Sequence, residues 1–333
     1  MGQKYFVAAV VMAGATLIGA LSAASLAAQS SGGPQKRWTT PRTPWGEPDF
    51  QGTYSNRTIT PFERPANVEG REFFTPEEIA ALEKIASERS VDEGRKRGTA
   101  ADVGSAYNEF WWDRGRKVTT TRTSLVIDPP DGRVPPLTPE AQARSGRGGR
   151  GGGGGGADHW TDRSLFERCI TRGLPGAMSP SAYNNNYRIT QAPGVFVVEV
   201  EMLGGARVIP TDGRSHVSQA IRHWMGHSVG RWDGDTLVVE TTNFTNKTSY
   251  RGSGENLHLV ERFTRIGPDE IDYRATITDP TTFTRPWTIA IPYLNVGEEM
   301  YEYACHEGNY GMEGILSGGR EEDRKAAEAA AKK

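Results

Sequence analysis

The sequence predicts a mainly β protein, an antiparallel meander closing into a barrel, with one or two helices in its N-terminal half. Three observations lead there. Ser228–Thr242 reads S-V-G-R-W-D-G-D-T-L-V-V-E-T-T, two β-runs around an Asp-Gly turn, and turn residues between such runs are the strongest short-range hairpin signal. Short β-runs then recur from Tyr187 to Cys305, seven or more of them at spacings of roughly 8 to 15 residues, with Gly, Pro and Asp turns between them instead of helices. Within them, Ile271, Tyr273, Ala275 and Ile277 alternate with Asp272, Arg274, Thr276 and Thr278, the division expected of a strand with one buried face. A meander of that length buries its edges most simply by closing.

At the N-terminus Lys4 precedes an apolar run from Tyr5 to Leu26 that ends in Ser25-Leu26-Ala27-Ala28-Gln29. A basic residue, an apolar centre and a small-residue exit make a secretory signal with cleavage near Ala27 or Ala28. An uncleaved single-span anchor is the competing reading, because the run nearly suffices to cross a bilayer. With 333 residues, 36% apolar content and a formal net charge of −2, the chain lacks the basic footprint of a nucleic-acid binder. The expected organisation is a signal peptide over 1–28, an N-terminal segment with a helix and a hairpin over 29–145, and a Gly/Arg-rich flexible loop over 146–157. The barrel follows over 158–318, then a charged tail over 319–333. Export implies an oxidising compartment, in which the two cysteines, Cys169 and Cys305, either pair or stand as two buried thiols.

Taken in order, Ser30–Pro48 is rich in Pro, Ser, Thr and Gly and is expected to lack regular structure. Asp49-Phe50-Gln51-Gly52-Thr53-Tyr54 gives a Gly-x-aromatic strand entrance of the lipocalin-like kind. Thr75-Pro76-Glu77-Glu78 combines an N-cap, a first-turn proline and a capping-box glutamate, and predicts a helix to about Arg95. Trp111 and Trp112 beside Glu109 and Asp113 are either a ligand wall or core anchors. Thr123–Asp128 is a β-run closed by Pro129-Pro130-Asp131-Gly132, Thr138-Pro139-Glu140 starts a brief helix, and Thr161–Ile170 reads as a short capped helix. Later strands are expected over Tyr187–Gln191, Val195–Met202, Ala206–Ile209, Leu257–Ile266, Glu270–Thr278, Trp287–Tyr293 and Met300–Cys305. In Leu257–Ile266 neither face is cleanly apolar, because Glu261 shares a face with Leu259 and Phe263. That mixture suggests a polar-lined cavity inside the barrel, or strands partly covered by other segments.

Residues able to do chemistry concentrate before the central hairpin: Asp212, Arg214, His216, Arg222, His223, Trp224 and His227. His223 and His227 are spaced as paired metal ligands on a helix would be, but Gly226 between them weakens a helix and no zinc-protease glutamate accompanies them, so no metal and no cofactor are expected. A second group, Cys305-His306-Glu307-Gly308-Asn309, follows the last predicted strand. The candidate catalytic residues are therefore His216, His223, His227 and His306, and the candidate ligand-binding residues Arg214, Arg222, Trp224, Arg262, Trp111 and Asn309. There is no nucleophile elbow, P-loop, dinucleotide fingerprint or cysteine cluster.

The segments Gly230–Thr241 (G-R-W-D-G-D-T-L-V-V-E-T), Asp162–Cys169 (D-R-S-L-F-E-R-C) and Cys305–Asn309 (C-H-E-G-N) resemble a family of exported bacterial proteins often encoded in several copies. The resemblance spans most of the chain after the signal and implies bacterial export; it implies no activity. Two functions follow from the residues. One is periplasmic binding of a small apolar, aromatic or sugar-like ligand in the barrel's cavity. The other is acid–base catalysis in the same cavity, as a lyase, isomerase or hydrolase, with histidine as base. The expected partner is a small molecule, with no nucleic acid and no stable membrane insertion once the signal is removed.

Overall fold

The structure is a computed structural model that describes residues 38–68, 70–89, 115–147, 157–247 and 250–332. The chain divides into two compact units, Met1–Thr39 and Thr40–Lys333, and the second holds every strand and helix described below. The expected signal, Trp111 and Trp112, and most of the Gly/Arg segment lie outside the described residues.

Ten strands form one antiparallel sheet: β1 (Gly52–Ser55), β2 (Val126–Asp128), β3 (Asn186–Ala192), β4 (Val195–Val200), β5 (Gly205–Pro210), β6 (His227–Asp233), β7 (Thr236–Thr242), β8 (His258–Arg265), β9 (Glu270–Thr278) and β10 (Trp287–Asn295). Nine run in the order β5-β4-β3-β1-β10-β9-β8-β7-β6, and β2 pairs with β10 off that path. The sheet nearly closes into a barrel, because its two edge strands, β5 and β6, lie side by side. The helices among the described residues are α1 (Pro76–Arg89), α2 (Pro139–Arg147) and α3 (Tyr310–Ala331).

The central hairpin forms as expected, with Asp233 opposite Thr236 and a two-residue loop of Gly234-Asp235. Gly234 takes φ +61° with open space around it, the left-handed backbone that a short hairpin loop requires. The alternation in β9 holds as well: Ile271, Tyr273, Ala275 and Ile277 are buried, and Arg274 is exposed.

Several expectations are corrected. The barrel is not confined to 158–318, since β1 and β2 come from before the Gly/Arg segment and β1 sits between β3 and β10. The run ending at Asp128 does not turn back on itself as a hairpin; β2 takes its hydrogen bonds from β10. Residues 300–305 form no strand, because no neighbouring edge pairs with them. Thr161–Ile170 is not an α-helix; a single 3₁₀ turn at Trp160–Asp162 leads into irregular turns. The tail is helical from well before residue 319, as α3.

The barrel interior is filled. A run of aromatic rings crosses it from Tyr187 to Tyr293 (centroids 4.9 Å), Tyr273 (5.1 Å), Phe263 (4.9 Å), Phe196 (5.7 Å) and Phe50 (6.0 Å). Such pairs add about 0.5–1.5 kcal/mol each to the area they bury. Burial pushes the phenol of Tyr187 up to about 12 and holds those of Tyr273 and Tyr293 well above the ordinary value, so all three stay neutral. Their hydroxyls are satisfied internally: Tyr293 donates to the Met178 carbonyl at 2.6 Å and Tyr187 to the Ala177 carbonyl at 3.0 Å. A polar-lined cavity through the middle of the barrel is therefore not what Glu261 signals.

Candidate functional site

Strand parity explains where the site lies. Nine strands paired antiparallel in sequence leave the first and the last pointing the same way, so β5 and β6 are parallel across the seam. A parallel return needs a connection of about a dozen residues or more. Residues 211–226 are that connection, and they carry the histidine- and arginine-rich stretch.

Side chains close the seam in place of a hydrogen-bond ladder. Arg207 of β5 points inward, only 6% exposed, and reaches across four strands. It donates to Ser228 Oγ of β6 (2.9 Å), Thr241 Oγ1 of β7 (2.9 Å) and both carboxylate oxygens of Glu261 of β8 (2.8 and 2.5 Å). Tyr273 of β9 donates to the same Glu261 at 2.9 Å. Burial alone would lower the guanidinium's pKa; the adjoining Glu261 carboxylate outweighs it, and the net shift is upward. Above this network Gly230 lies bare against β5, where an added Cβ would stand 3.0 Å from Thr211 Cγ2 and 3.1 Å from Ile209 Cγ2. The glycine of the G-R-W-D-G motif is thus the notch into which the opposite edge fits.

A cavity of about 250 Å³ opens at the end of this seam. Met202 and Leu203 of the β4–β5 turn form one wall, Trp224 and Met225 of the crossing loop another, and Ile170 and Arg172 a third, with Arg207 also reaching the lining. Its surface is mostly apolar, and Ile170 and Trp224 are large apolar side chains left exposed beside it. Arg207 is neutralised by Glu261. Arg172 has no carboxylate within 4 Å among the described residues and donates only a long bond, 3.4 Å, to the Ser179 carbonyl.

Two anchors hold the walls. Asn243, at φ +59°, donates its side-chain amide to the carbonyls of Val217, Ser218 and Ile221 and so fixes the crossing loop. Cys169 and Cys305 form a disulfide, pinning the C-terminal segment to the residue just before Ile170.

The predicted residues distribute unevenly around this cavity. Trp224 lines it. His216 of the crossing loop meets His227, the first residue of β6, Nδ1 to Nδ1 at 2.9 Å, with His216 Nε2 buried and, among the described residues, without a partner. Burial, and then the positive charge of His216, His223 and Arg214, lowers the pKa of His227. His223 is exposed and acts through its backbone, bonded to Asn243 and Thr245. Arg214 pairs with Asp212 on the surface, and Arg222 donates to the carbonyls of Phe244 and Glu255. Arg262 faces out of the barrel and pairs with Asp233 at 3.0 Å. Asn309 donates to the Glu167 carbonyl and to Cys169 Sγ, while His306 is exposed on the same segment. None of the four histidines lines the cavity. Among the described residues, no three or more His, Cys, Asp or Glu side chains gather to hold a metal ion.

Sequence reasoning missed Arg207, Arg172, Met202, Leu203 and Met225. Only Glu261, a charge on an apolar strand face, signalled the network from the sequence, and its partner lies on β5, which closure brings beside β6, two strands from Glu261.

Fold and site together define a nearly closed antiparallel β-barrel whose seam is tied by a buried ion pair and ends in a small apolar cavity. The disulfide, and the finding that no described helix is long and apolar enough to cross a membrane, are compatible with an exported protein. No family model, curated protein or solved structure matches the chain.

Proposed function

We propose that the protein is an exported, periplasmic member of the resembled bacterial family and binds a small, mainly apolar or aromatic molecule in the cavity at the barrel seam. The cavity itself carries this reading: about 250 Å³ walled by Met202, Leu203, Trp224, Met225 and Ile170, with one cation, Arg172, that has no carboxylate partner among the described residues. Ligand sites are typically apolar concavities with a few placed polar groups. The volume suits a molecule of about one ring, and Arg172 favours an acidic end over a sugar. The test is calorimetric titration of benzoate against its neutral isostere benzamide. Benzoate should bind more tightly, Trp224→Ala should weaken both ligands, and Arg172→Gln should remove the difference between them. If neither probe binds, and native mass spectrometry of protein from its own periplasm shows no co-purified small molecule, the proposal is wrong.

The contact between His216 and His227 supports a second reading, acid–base catalysis where the crossing loop enters β6. His227, its pKa held down, stays neutral and able to accept a proton near neutral pH. Replacement of His227 by Ala that abolishes turnover of a bound ligand without changing its affinity would favour the enzyme.

A further inference from the structure

A second cavity, also about 250 Å³, lies beside β2 and is lined by Arg64, Glu72, Arg122, Ser124, Ile127 and Pro130 among others. It shares no lining residue with the seam cavity, so a ligand here is independent of the function proposed for the seam.

Arg64 is the unusual member. It is only 6% exposed, yet no carboxylate lies within 4 Å of it among the described residues. Two of its nitrogens are committed: Nε donates to Thr123 Oγ1 at 3.0 Å and Nη1 to the Pro130 carbonyl at 2.8 Å. Thr123 spends its own proton on the Arg71 carbonyl at 2.7 Å, which turns a lone pair toward the guanidinium. Among the described residues Nη2 donates to no group, and it is not one of the sealed, unsatisfied atoms of the interior, which leaves it the cavity that Arg64 lines. Glycine keeps this arrangement open. Gly132 sits at φ +70°, and an added Cβ there would stand 2.4 Å from Ser124 Oγ and 3.1 Å from Arg64 Cζ.

The other charges in the wall nearly cancel, since Arg122 is ion-paired with Glu72. Ser124 donates its proton to the Val126 carbonyl and is not available to an anion. The wall therefore keeps about one positive charge, concentrated on a guanidinium held rigid at two nitrogens. Burying an unpaired charge is costly unless a counter-charge completes it, and a guanidinium edge matches an oxyanion in both geometry and charge.

We propose that this cavity binds a small oxyanion, a carboxylate or phosphate group, with Arg64 as its principal ligand and the Arg122–Glu72 pair setting its strength. The experiment is calorimetric titration of the whole protein with sodium phosphate and with sodium acetate at pH 7, ionic strength held constant with chloride. Phosphate or acetate should bind where chloride does not, and whichever binds identifies the source of the oxyanion. Glu72→Gln should tighten binding and Arg122→Gln weaken it, each by roughly two- to fivefold, as expected for charges at an exposed pair. Both are surface changes that leave the fold intact, so they decide the matter even if Arg64→Met fails to fold; if it folds, binding should be lost. Arg172→Gln, which removes any acetate binding at the seam cavity, should leave the phosphate affinity and the effects of Glu72→Gln and Arg122→Gln in place. The proposal is overturned if neither anion exceeds chloride, if Glu72→Gln and Arg122→Gln leave the affinity unaltered, or if Arg172→Gln abolishes binding.

Discussion

Replacing Glu261 by Gln tests the seam most directly. The carboxylate is fully buried and accepts two bonds from Arg207, at 2.8 and 2.5 Å, and one from Tyr273 at 2.9 Å. Without that charge, Arg207 keeps the hydroxyls of Ser228 and Thr241 and at most one neutral amide oxygen, and a guanidinium sits uncompensated inside the barrel. Removing one partner of such a pair costs about 3–5 kcal/mol, because the remaining charge stays buried. A chain of 333 residues loses about 1.5 °C of midpoint per kcal/mol, so the thermal transition should fall by roughly 4–7 °C. Arg207→Met should cost a similar amount. The double variant should be less destabilised than either single one. It buries no charge, Ser228 and Thr241 still bond each other at 2.9 Å, the Gln amide oxygen can still accept from Tyr273, and the buried amide N–H groups left without an acceptor cost about 1–3 kcal/mol. Urea unfolding followed by circular dichroism, with the disulfide intact, measures all three. Losses in the double variant equal to the sum of the single ones, or a Glu261→Gln protein within about 0.5 kcal/mol of the parent, would refute the claim that this pair closes the barrel.

Three further outcomes follow from the same geometry. Gly226→Ala should be far more damaging than Gly234→Ala. Both glycines have positive φ, but a Cβ at Gly226 would meet the Thr242 carbonyl oxygen at 2.6 Å whereas Gly234 faces open space; chemical denaturation should show about 1 kcal/mol for Gly234 and clearly more for Gly226. Cleaving the Cys169–Cys305 bond, which spans 136 residues, should lower stability by up to about 5 kcal/mol in the chain-entropy model, and proteolysis should then reach the segment after Tyr293 first. The third outcome concerns pH. Because the folded pKa of His227 is depressed, by burial and then by its positive neighbours, the unfolded chain binds that proton more readily. The stability linked to this group is complete above about pH 6.5 and declines as the pH falls below it. Midpoints recorded from pH 7.5 to 5.5 should fall, His227→Asn should flatten the fall, and an unchanged slope would exclude His227 as its origin.

What could be seen in the sequence depended on whether a signal was local. The hairpin at Ser228–Thr242 and the alternation in Ile271–Thr278 are local, because turn chemistry and a period of two are written in consecutive residues. The Gly-x-aromatic at Gly52–Tyr54 does mark a strand, but its place between β3 and β10 is set by closure, which no neighbouring residue reports. Tyr301 and Tyr303 alternate like a strand and are not one, since alternation predicts a face and a strand also requires an edge to pair with. Trp224 was legible as an exposed aromatic in a loop. The rest of the cavity wall was not, because it comes from residues near 170, 202 and 225, separated along the chain and assembled only when the barrel forms.

The crossing loop gains its meaning from topology. An even number of antiparallel strands could close on itself edge to edge, with hydrogen bonds around the whole circumference. Nine can close only through one parallel pair, and here the two terminal strands form no such ladder but meet through side chains, with residues 211–226 returning the chain between them. Such a seam leaves polar backbone edges to be managed and is the natural place for a buried charge that reaches across several strands. It is also where the wall can open without breaking a ladder. His216 and His223 are therefore placed first by the need to cross from β5 to β6, and the cavity beside Trp224 and Met225 lies where that crossing loop meets the unpaired seam.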